Sequence, residues 1–225
     1  MPATLARCAG FLRALDLEGE IVVADDGSTD DTVAAVSRAA AELASERLAV
    51  RHLRSDHRGK GAAVAAGVLA SRGDPVAFLD ADLTIPVETI GDLLAALRAG
   101  ADVAVASRYV PGSTVRRPRV RLVMSHVFRA LVRALVPTGI SDTQCGGKAY
   151  TAAAARTLFS RVTIDGFAFD AEVLFLARRL GYRVREVPLR IVQPDETSIH
   201  LLRDAPRMVR DLVLIRWRAL TGRYA

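Results

Sequence analysis

Short apolar runs alternate with longer segments of helical periodicity through the first half of the chain. The apolar runs are rich in valine, isoleucine and leucine, which is typical of buried strands, whereas the segments between them repeat apolar residues at spacings of three and four. The pattern predicts strands at residues 20–24, 48–53, 75–79 and 102–107. It predicts helices at residues 2–15, 29–45, 59–70 and 87–99.

This alternation predicts an α/β fold with a mainly parallel sheet flanked by helices. Ligands of such sheets bind beyond the carboxyl ends of the strands. Polar clusters follow the predicted strands at that end, as Asp-Asp-Gly-Ser at 25–28, Asp-Ala-Asp at 80–82 and Ser-Arg-Tyr at 107–109. We therefore expect these clusters to share one cleft.

The second half of the chain is less regular. It predicts a basic helix at 120–136, a polar loop at 141–148, a helix at 170–180, a strand at 184–192 and a last helix at 206–221. Asp204 and Pro206 suit the start of that last helix, because Asp is a common cap and Pro a common first residue. We find no internal repeat and no low-complexity linker, so residues 1–225 are expected to form one domain.

Basic residues are concentrated in two segments of a chain whose net charge is +6. Residues 107–137 hold seven arginines and no acid, and residues 200–225 hold six arginines against two aspartates. An anionic partner fits this distribution. The patches lack interleaved aromatic residues, so we do not expect nucleic acid as that partner.

The two basic helices also predict where the protein works. No apolar run is long enough to span a bilayer. Basic amphipathic helices with a tryptophan, here Trp217, suit an anionic membrane interface. We expect a cytoplasmic protein that lies peripherally on the inner face of a membrane. The alternative is that both are ordinary helices packed on the sheet.

Asp80 and Asp82 are the candidate metal ligands. Two carboxylates separated by one residue at a strand end can share a hard divalent cation, Mg²⁺ or Mn²⁺, that leaves positions open for phosphate oxygens. Such a cation acts as a Lewis acid toward a departing diphosphate. The same residues, read as Asp-x-Asp-x-Thr, also match the nucleophile motif of haloacid-dehalogenase-type phosphatases.

Five motifs follow one another along the chain, at residues 21–32 (IVVADDGSTDDT), 58–63 (RGKGAA), 78–82 (FLDAD), 142–148 (DTQCGGK) and 169–172 (FDAE). The first three resemble the motifs of family 2 glycosyltransferases of the GT-A type. The last two resemble those of dolichyl-phosphate β-glucosyltransferases and their bacterial polyprenyl-phosphate relatives of the cell envelope. Together they extend the resemblance over nearly the whole chain.

The resemblance implies a role for each candidate site residue. On the donor side it implies that Asp26, or its neighbour Asp25, bonds the uracil or ribose, with Lys60 as a phosphate contact. It implies Asp80 on the nucleotide side and Asp82 on the metal. The remaining roles fall to Arg108, which would face the phosphates, and Asp142, which would face the reacting centre.

The resemblance also implies the reaction. The expected activity is transfer of a hexose, glucose from UDP-glucose, to a polyprenyl or dolichyl phosphate with inversion at the anomeric carbon. A polyprenyl-phosphate mannosyltransferase using GDP-mannose is the alternative. The family places a further central strand before residue 2, between the strands that end at Asp26 and Asp80. We therefore expect the natural start to lie upstream, and a non-catalytic partner protein is the alternative if it does not.

Overall fold

A computed structural model of the chain describes residues 1–115, 119–191 and 201–224. Within the two basic helices, side chains are described from residue 124 and from residue 204. The strands are β1 (Gly19–Asp25), β2 (Leu48–Arg54), β3 (Val76–Phe78), β4 (Val103–Ser107), β5 (Lys148–Tyr150) and β6 (Val184–Pro188). The helices are α1 (Pro2–Ala14), α2 (Thr32–Leu43), α3 (Lys60–Ala70), α4 (Thr89–Arg98), α5 (Arg119–Leu135), α6 (Ala152–Phe159), α7 (Phe169–Arg179) and α8 (Leu201–Leu220).

The strands form two sheets. Strands β1 and β2 pair in parallel, with Gly19 opposite Leu48 and Asp25 opposite Arg54. The second sheet has the order β3-β5-β4-β6. In it β5 runs antiparallel to both of its neighbours, whereas β4 and β6 are parallel. The prediction of an α/β fold with a mainly parallel sheet is confirmed.

A large cleft separates the two sheets. Among the described residues no hydrogen-bonded pairing joins β1 to β3. The cleft has a volume of about 1570 Å³, and its lining includes residues of α1, β1, α3, β3 and α8. The carboxyl ends of β1 and β3 open into it.

The core lies on the side of β4. Every residue of β4 is buried, because β5 and β6 flank it in the sheet and α4 packs on it. Thr151 caps the start of helix α6, because its side chain accepts a hydrogen bond from the N–H of Ala154. The buried faces of α6 and α7 meet the other face of the sheet in one apolar cluster that includes Tyr150, Phe159 and Phe169.

The second half departs from the prediction in two places. The predicted polar loop at 141–148 ends inside β5, and neither β5 nor α6 was predicted. Helix α8 begins at Leu201, so the predicted start at residue 206 is wrong, and Pro206 lies inside the helix. The helix continues past the proline because Met208, Leu212 and Ile215 are buried against the rest of the protein. Strand β6 ends at Pro188, before the end predicted at residue 192, which itself lies outside the described residues.

The apolar residues of α8 lie on two faces of the helix. Leu212 is fully buried, whereas Val213, Trp217 and Leu220 are more than half exposed. Within the described ranges, none of the helices combines the length and the apolar character needed to cross a membrane.

Candidate functional site

The turn after β1 separates the two neighbouring aspartates. Asp25 ends the strand and is buried, and its Oδ1 accepts a hydrogen bond from the N–H of Ser28 at 2.8 Å. Its Oδ2 lies 3.2 Å from Nε2 of His52 on β2. The hydrogen bonds from Ser28 lower the pKa of Asp25. Asp25 therefore fixes the turn, and of the two carboxylates it is Asp26 that lines the cleft.

Asp26 joins the turns that follow β1 and β2. Its Oδ1 accepts hydrogen bonds from the backbone N–H groups of Arg58 at 2.9 Å and Gly59 at 3.0 Å. Its Oδ2 lies 2.9 Å from Nδ1 of His57. Gly59 has a φ of +132°, and an added Cβ there would lie 2.6 Å from the carbonyl oxygen of Asp165, so this position requires glycine. Asp26 does not cap helix α2, which begins at Thr32.

The loop before α7 covers the start of α3. The backbone carbonyl of Asp165 accepts from the N–H of Gly61 at 2.7 Å, which occupies donors that a helix start would offer to an anion. The Asp165 carboxylate binds the guanidinium of Arg58 at 3.0 Å. The loop itself is held by buried Glu172, which accepts from the N–H groups of Thr163 and Ile164. The sequence patterns gave no signal for Asp165, because it follows no strand and belongs to no motif.

Lys60 and the pair Asp80 and Asp82 meet in the same cleft. Nζ of Lys60 lies 2.7 Å from Oδ1 of Asp80, and both side chains are about one-third exposed or less. Oδ1 of Asp82 accepts from the N–H of Thr84 at 2.9 Å. The backbone of Gly146 lies against the Asp80 carboxylate so closely that an added Cβ would be 2.2 Å from Oδ2.

The carboxylates of Asp80 and Asp82 both act on the charge of Lys60. Burial alone would lower the pKa of the Lys60 ammonium, but the negative charges of Asp170, Asp80 and Asp82 outweigh it and raise the pKa. Asp80 and Asp82 offer hard oxygen donors that fit Mg²⁺ or Mn²⁺. The parts of the chain that the structure describes bring no three His, Cys, Asp or Glu side chains into a metal-binding group, so a cation held here would take its other ligands from substrate or water.

Behind Lys60 lies a buried ion pair that was not predicted. Nζ of Lys148 is 2.5 Å from Oδ1 of Asp170 and 2.6 Å from the carbonyl oxygen of Cys145. Both side chains are shielded from solvent, with 0% and 4% of their surface exposed. Burial raises the pKa of Asp170 despite the neighbouring Lys148 and Lys60. The reading of Lys148 as part of a polar loop is therefore wrong.

Arg108 and Asp142 bind each other. The guanidinium donates from Nε to Oδ2 at 2.6 Å and from Nη2 to Oδ1 at 2.7 Å, and the backbone N–H of Arg108 adds a third hydrogen bond at 3.0 Å. Burial raises the pKa of Asp142, but Arg108 outweighs it and holds the pKa below its usual value. Neither residue lines the cleft, so their expected roles at the phosphates and the reacting centre stay predictions.

The structure thus gathers Asp26, Lys60, Asp80 and Asp82 in one cleft between the two sheets. The sequence profile described as Glycosyl transferase family 2 matches residues 2–159. The chain belongs to this family. The phosphatase reading of residues 80–84 is therefore not supported, because these residues lie within the match.

Curated relatives extend the similarity beyond the profile. The chain is 34% identical to glycosyltransferase AglD of Haloferax volcanii over 201 residues, which cover 88% of this chain and 32% of AglD. It is 33% identical to the dolichyl-phosphate β-glucosyltransferase of Dictyostelium discoideum over 234 residues, which cover 99% of this chain and 71% of that protein. The chain therefore spans about a third of AglD and less than three quarters of the second relative.

A solved structure shows the same fold. It is glucosyl-3-phosphoglycerate synthase from Mycobacterium tuberculosis in complex with Mn²⁺, UDP-glucose and phosphoglyceric acid. The TM-score is 0.67 at 21% identity, with 95% of this chain and 75% of that chain covered. The likeness identifies the fold as GT-A.

Proposed function

We propose that this protein transfers a hexose from a nucleotide-sugar to a polyprenyl or dolichyl phosphate, with UDP-glucose as the donor that matches best. The observation that carries the proposal is the convergence of Asp26, Lys60, Asp80 and Asp82 on one cleft at the carboxyl ends of β1 and β3. The similarity to a dolichyl-phosphate β-glucosyltransferase over 99% of the chain supports this choice of acceptor and sugar.

Two groups of residues in the cleft bind different parts of the nucleotide-sugar donor. Asp26 is fixed by backbone donors from the turn after β2 and offers its remaining acceptor capacity to the base or ribose. Asp80 and Asp82 would hold Mg²⁺ or Mn²⁺, which would supply positive charge to balance the leaving diphosphate. Lys60 adds a positive charge to the same part of the cleft.

The reaction is a single displacement at the anomeric carbon. An oxygen of the lipid phosphate forms the new bond to this carbon as the bond to the nucleoside diphosphate breaks, so the configuration inverts. The phosphate is anionic near neutral pH, so the demand for a general base is small. Arg108 and Asp142 are proposed for the phosphates and the reacting centre. Their mutual ion pair has to rearrange for either to touch substrate.

Helices α5 and α8 provide the proposed contact with the membrane. They pack against each other, and Val127 of α5 is exposed together with Val213, Trp217 and Leu220 of α8. The exposed residues of α8 are spaced by four and three, which places them on one stripe. Two exposed arginines of α8, Arg210 and Arg216, lie beside this stripe and suit anionic lipid headgroups at the cytoplasmic face.

A donor screen tests the proposed activity. The protein is incubated with polyprenyl phosphate, Mg²⁺ or Mn²⁺ and one of UDP-glucose, UDP-galactose or GDP-mannose, and the glycolipid is measured by mass spectrometry. We expect a hexosyl-phosphate lipid with UDP-glucose that does not form without acceptor or in EDTA. Product with GDP-mannose alone would replace glucose by mannose, and no product with any donor would overturn the proposal.

A further inference from the structure

Lys60 is paired with a carboxylate that the proposed function assigns to a metal. Its Nζ lies 2.7 Å from Oδ1 of Asp80. On another side of this carboxylate, the backbone of Gly146 packs against Oδ2. A cation that binds Asp80 therefore shares with Lys60 a carboxylate that is only about one-third exposed.

Two other groups of the same turn that could bind an anion already have partners. The guanidinium of Arg58 binds the carboxylate of Asp165, and the N–H of Gly61 donates to the backbone carbonyl of Asp165. Lys60 differs from both, because its partner Asp80 is a proposed metal ligand and would have its charge neutralised by the metal ion.

The charges around Lys60 favour an exchange of cations. Oδ1 of Asp80 contacts its ammonium, the negative charge of Asp82 also acts on it, and Asp170 behind it is already paired with Lys148. Without a metal, Lys60 leaves the two cleft carboxylates with one uncompensated negative charge. A divalent cation replaces that single charge by two, and like charges then repel the ammonium from Asp80.

On these grounds, and resting on the proposed function, we propose that Lys60 is the resident counter-ion of Asp80, is displaced when the metal binds, and then contacts the diphosphate of the donor. Two consequences of opposite sign follow. Lys60 weakens the binding of the free metal, because it occupies and neutralises Asp80. It strengthens the binding of a nucleoside diphosphate once the metal is present, because the released ammonium is a phosphate ligand on a flexible stem.

The test measures both affinities in Lys60→Met, which keeps the length of the side chain and removes its charge. Binding of Mn²⁺ alone is titrated by electron paramagnetic resonance of the free ion, and binding of UDP at saturating Mn²⁺ by calorimetry. We expect Mn²⁺ to bind at least about tenfold more tightly than in the wild type, and UDP about tenfold more weakly. Lys60→Gln, measured in parallel with a melting curve, repeats the test with a shorter neutral side chain.

Matched controls test whether the change in Mn²⁺ affinity depends on where the removed positive charge lies or only on the net charge of the protein. Arg58→Met removes a positive charge two residues away that is paired with Asp165, and its Mn²⁺ affinity should remain that of the wild type. Lys60→Arg keeps the charge and should not tighten Mn²⁺ binding. Equal tightening in Arg58→Met and Lys60→Met would overturn the inference.

The two proposals fail in different ways. Unchanged Mn²⁺ affinity in Lys60→Met, or unchanged UDP affinity, would overturn the role of Lys60 while leaving the proposed function in place. A wild-type protein that binds neither Mn²⁺ nor UDP would overturn the proposed function itself.

Discussion

Two lysine–aspartate pairs lie next to each other in this protein and differ in their exposure to solvent. In the pair formed by Lys60 and Asp80, 27% and 32% of the side-chain surface is exposed. In the pair formed by Lys148 and Asp170, the values are 0% and 4%. The first pair opens into the cleft between the sheets, whereas the second lies beneath it, between β5 and α7.

The difference in burial separates a pair that can exchange partners from one that cannot. A solvent-exposed ion pair contributes little to stability, because water can replace either partner at small cost. Breaking a buried pair leaves a charge without compensation in a medium that solvates it poorly. We therefore expect Lys148 and Asp170 to maintain the fold beneath the site, and Lys60 and Asp80 to act on ligands.

The largest effect is expected from breaking the buried pair. Lys148→Met leaves the Asp170 carboxylate buried and unpaired, which should lower the free energy of unfolding by about 3–5 kcal/mol. Lys60→Met should lower it by less than about 1 kcal/mol, because both members of its pair remain partly solvated. Urea denaturation of the two variants and the wild type measures both values.

A double variant is the control for this prediction. Lys148→Met combined with Asp170→Leu removes both charges and should recover much of the stability that Lys148→Met loses. The contrast between the pairs fails if Lys148→Met costs no more than Lys60→Met.

The next effect is a loss of activity without a loss of stability. Asp82→Ala removes a proposed metal ligand from an exposed position in the cleft. Transfer should fall by about 10²–10³-fold, the range found when one group that stabilises developing charge is removed. The melting temperature should stay close to that of the wild type. Wild-type transfer rates in Asp82→Ala, assayed with the donor that the screen identifies, would remove the metal site.

How far the sequence predicts each pair follows from the local signals around it. Asp80 follows an apolar run and precedes a second aspartate, so strand and candidate ligand were both predicted. Lys60 was assigned through the resemblance of residues 58–63 to a motif of family 2 glycosyltransferases. Lys148 lies in a strand of three residues, which is too short to show an alternating pattern. Polar neighbours made it resemble a loop. Its burial depends on Asp170, 22 residues away, and a pairing at that distance leaves no periodic signal.

The same reasoning applies to the fold as a whole. Elements of the first half were predicted to within a few residues, because each begins and ends at a glycine, a proline or a charged cluster. The start of α8 was misplaced because Asp204 and Pro206 are typical of a helix start, and local preference yielded to the burial of Met208, Leu212 and Ile215. The ion pair of Arg108 and Asp142 was also missed, since the resemblance assigned the two residues separate roles.

The smallest effect on stability is expected from a change at a residue that is more than half exposed. Trp217 on α8 is 54% exposed, and Trp217→Ala should change the free energy of unfolding by no more than about 0.5 kcal/mol. If the stripe of Val213, Trp217 and Leu220 contacts lipid, the same change should reduce the fraction bound to anionic vesicles severalfold in a flotation assay at low salt.

Leu69→Ala on α3 is the matched control, because Leu69 is 46% exposed but lies outside the two basic helices, and its vesicle binding should equal that of the wild type. Equal losses in both variants would show that exposed apolar surface in general, and not the stripe on α8, attaches the protein to the vesicles. In the cleft, the exposed pair is expected to act on ligands and the buried pair to maintain the fold. If Trp217 matters for lipid binding and not for folding, the same distinction holds on the face that contacts the membrane.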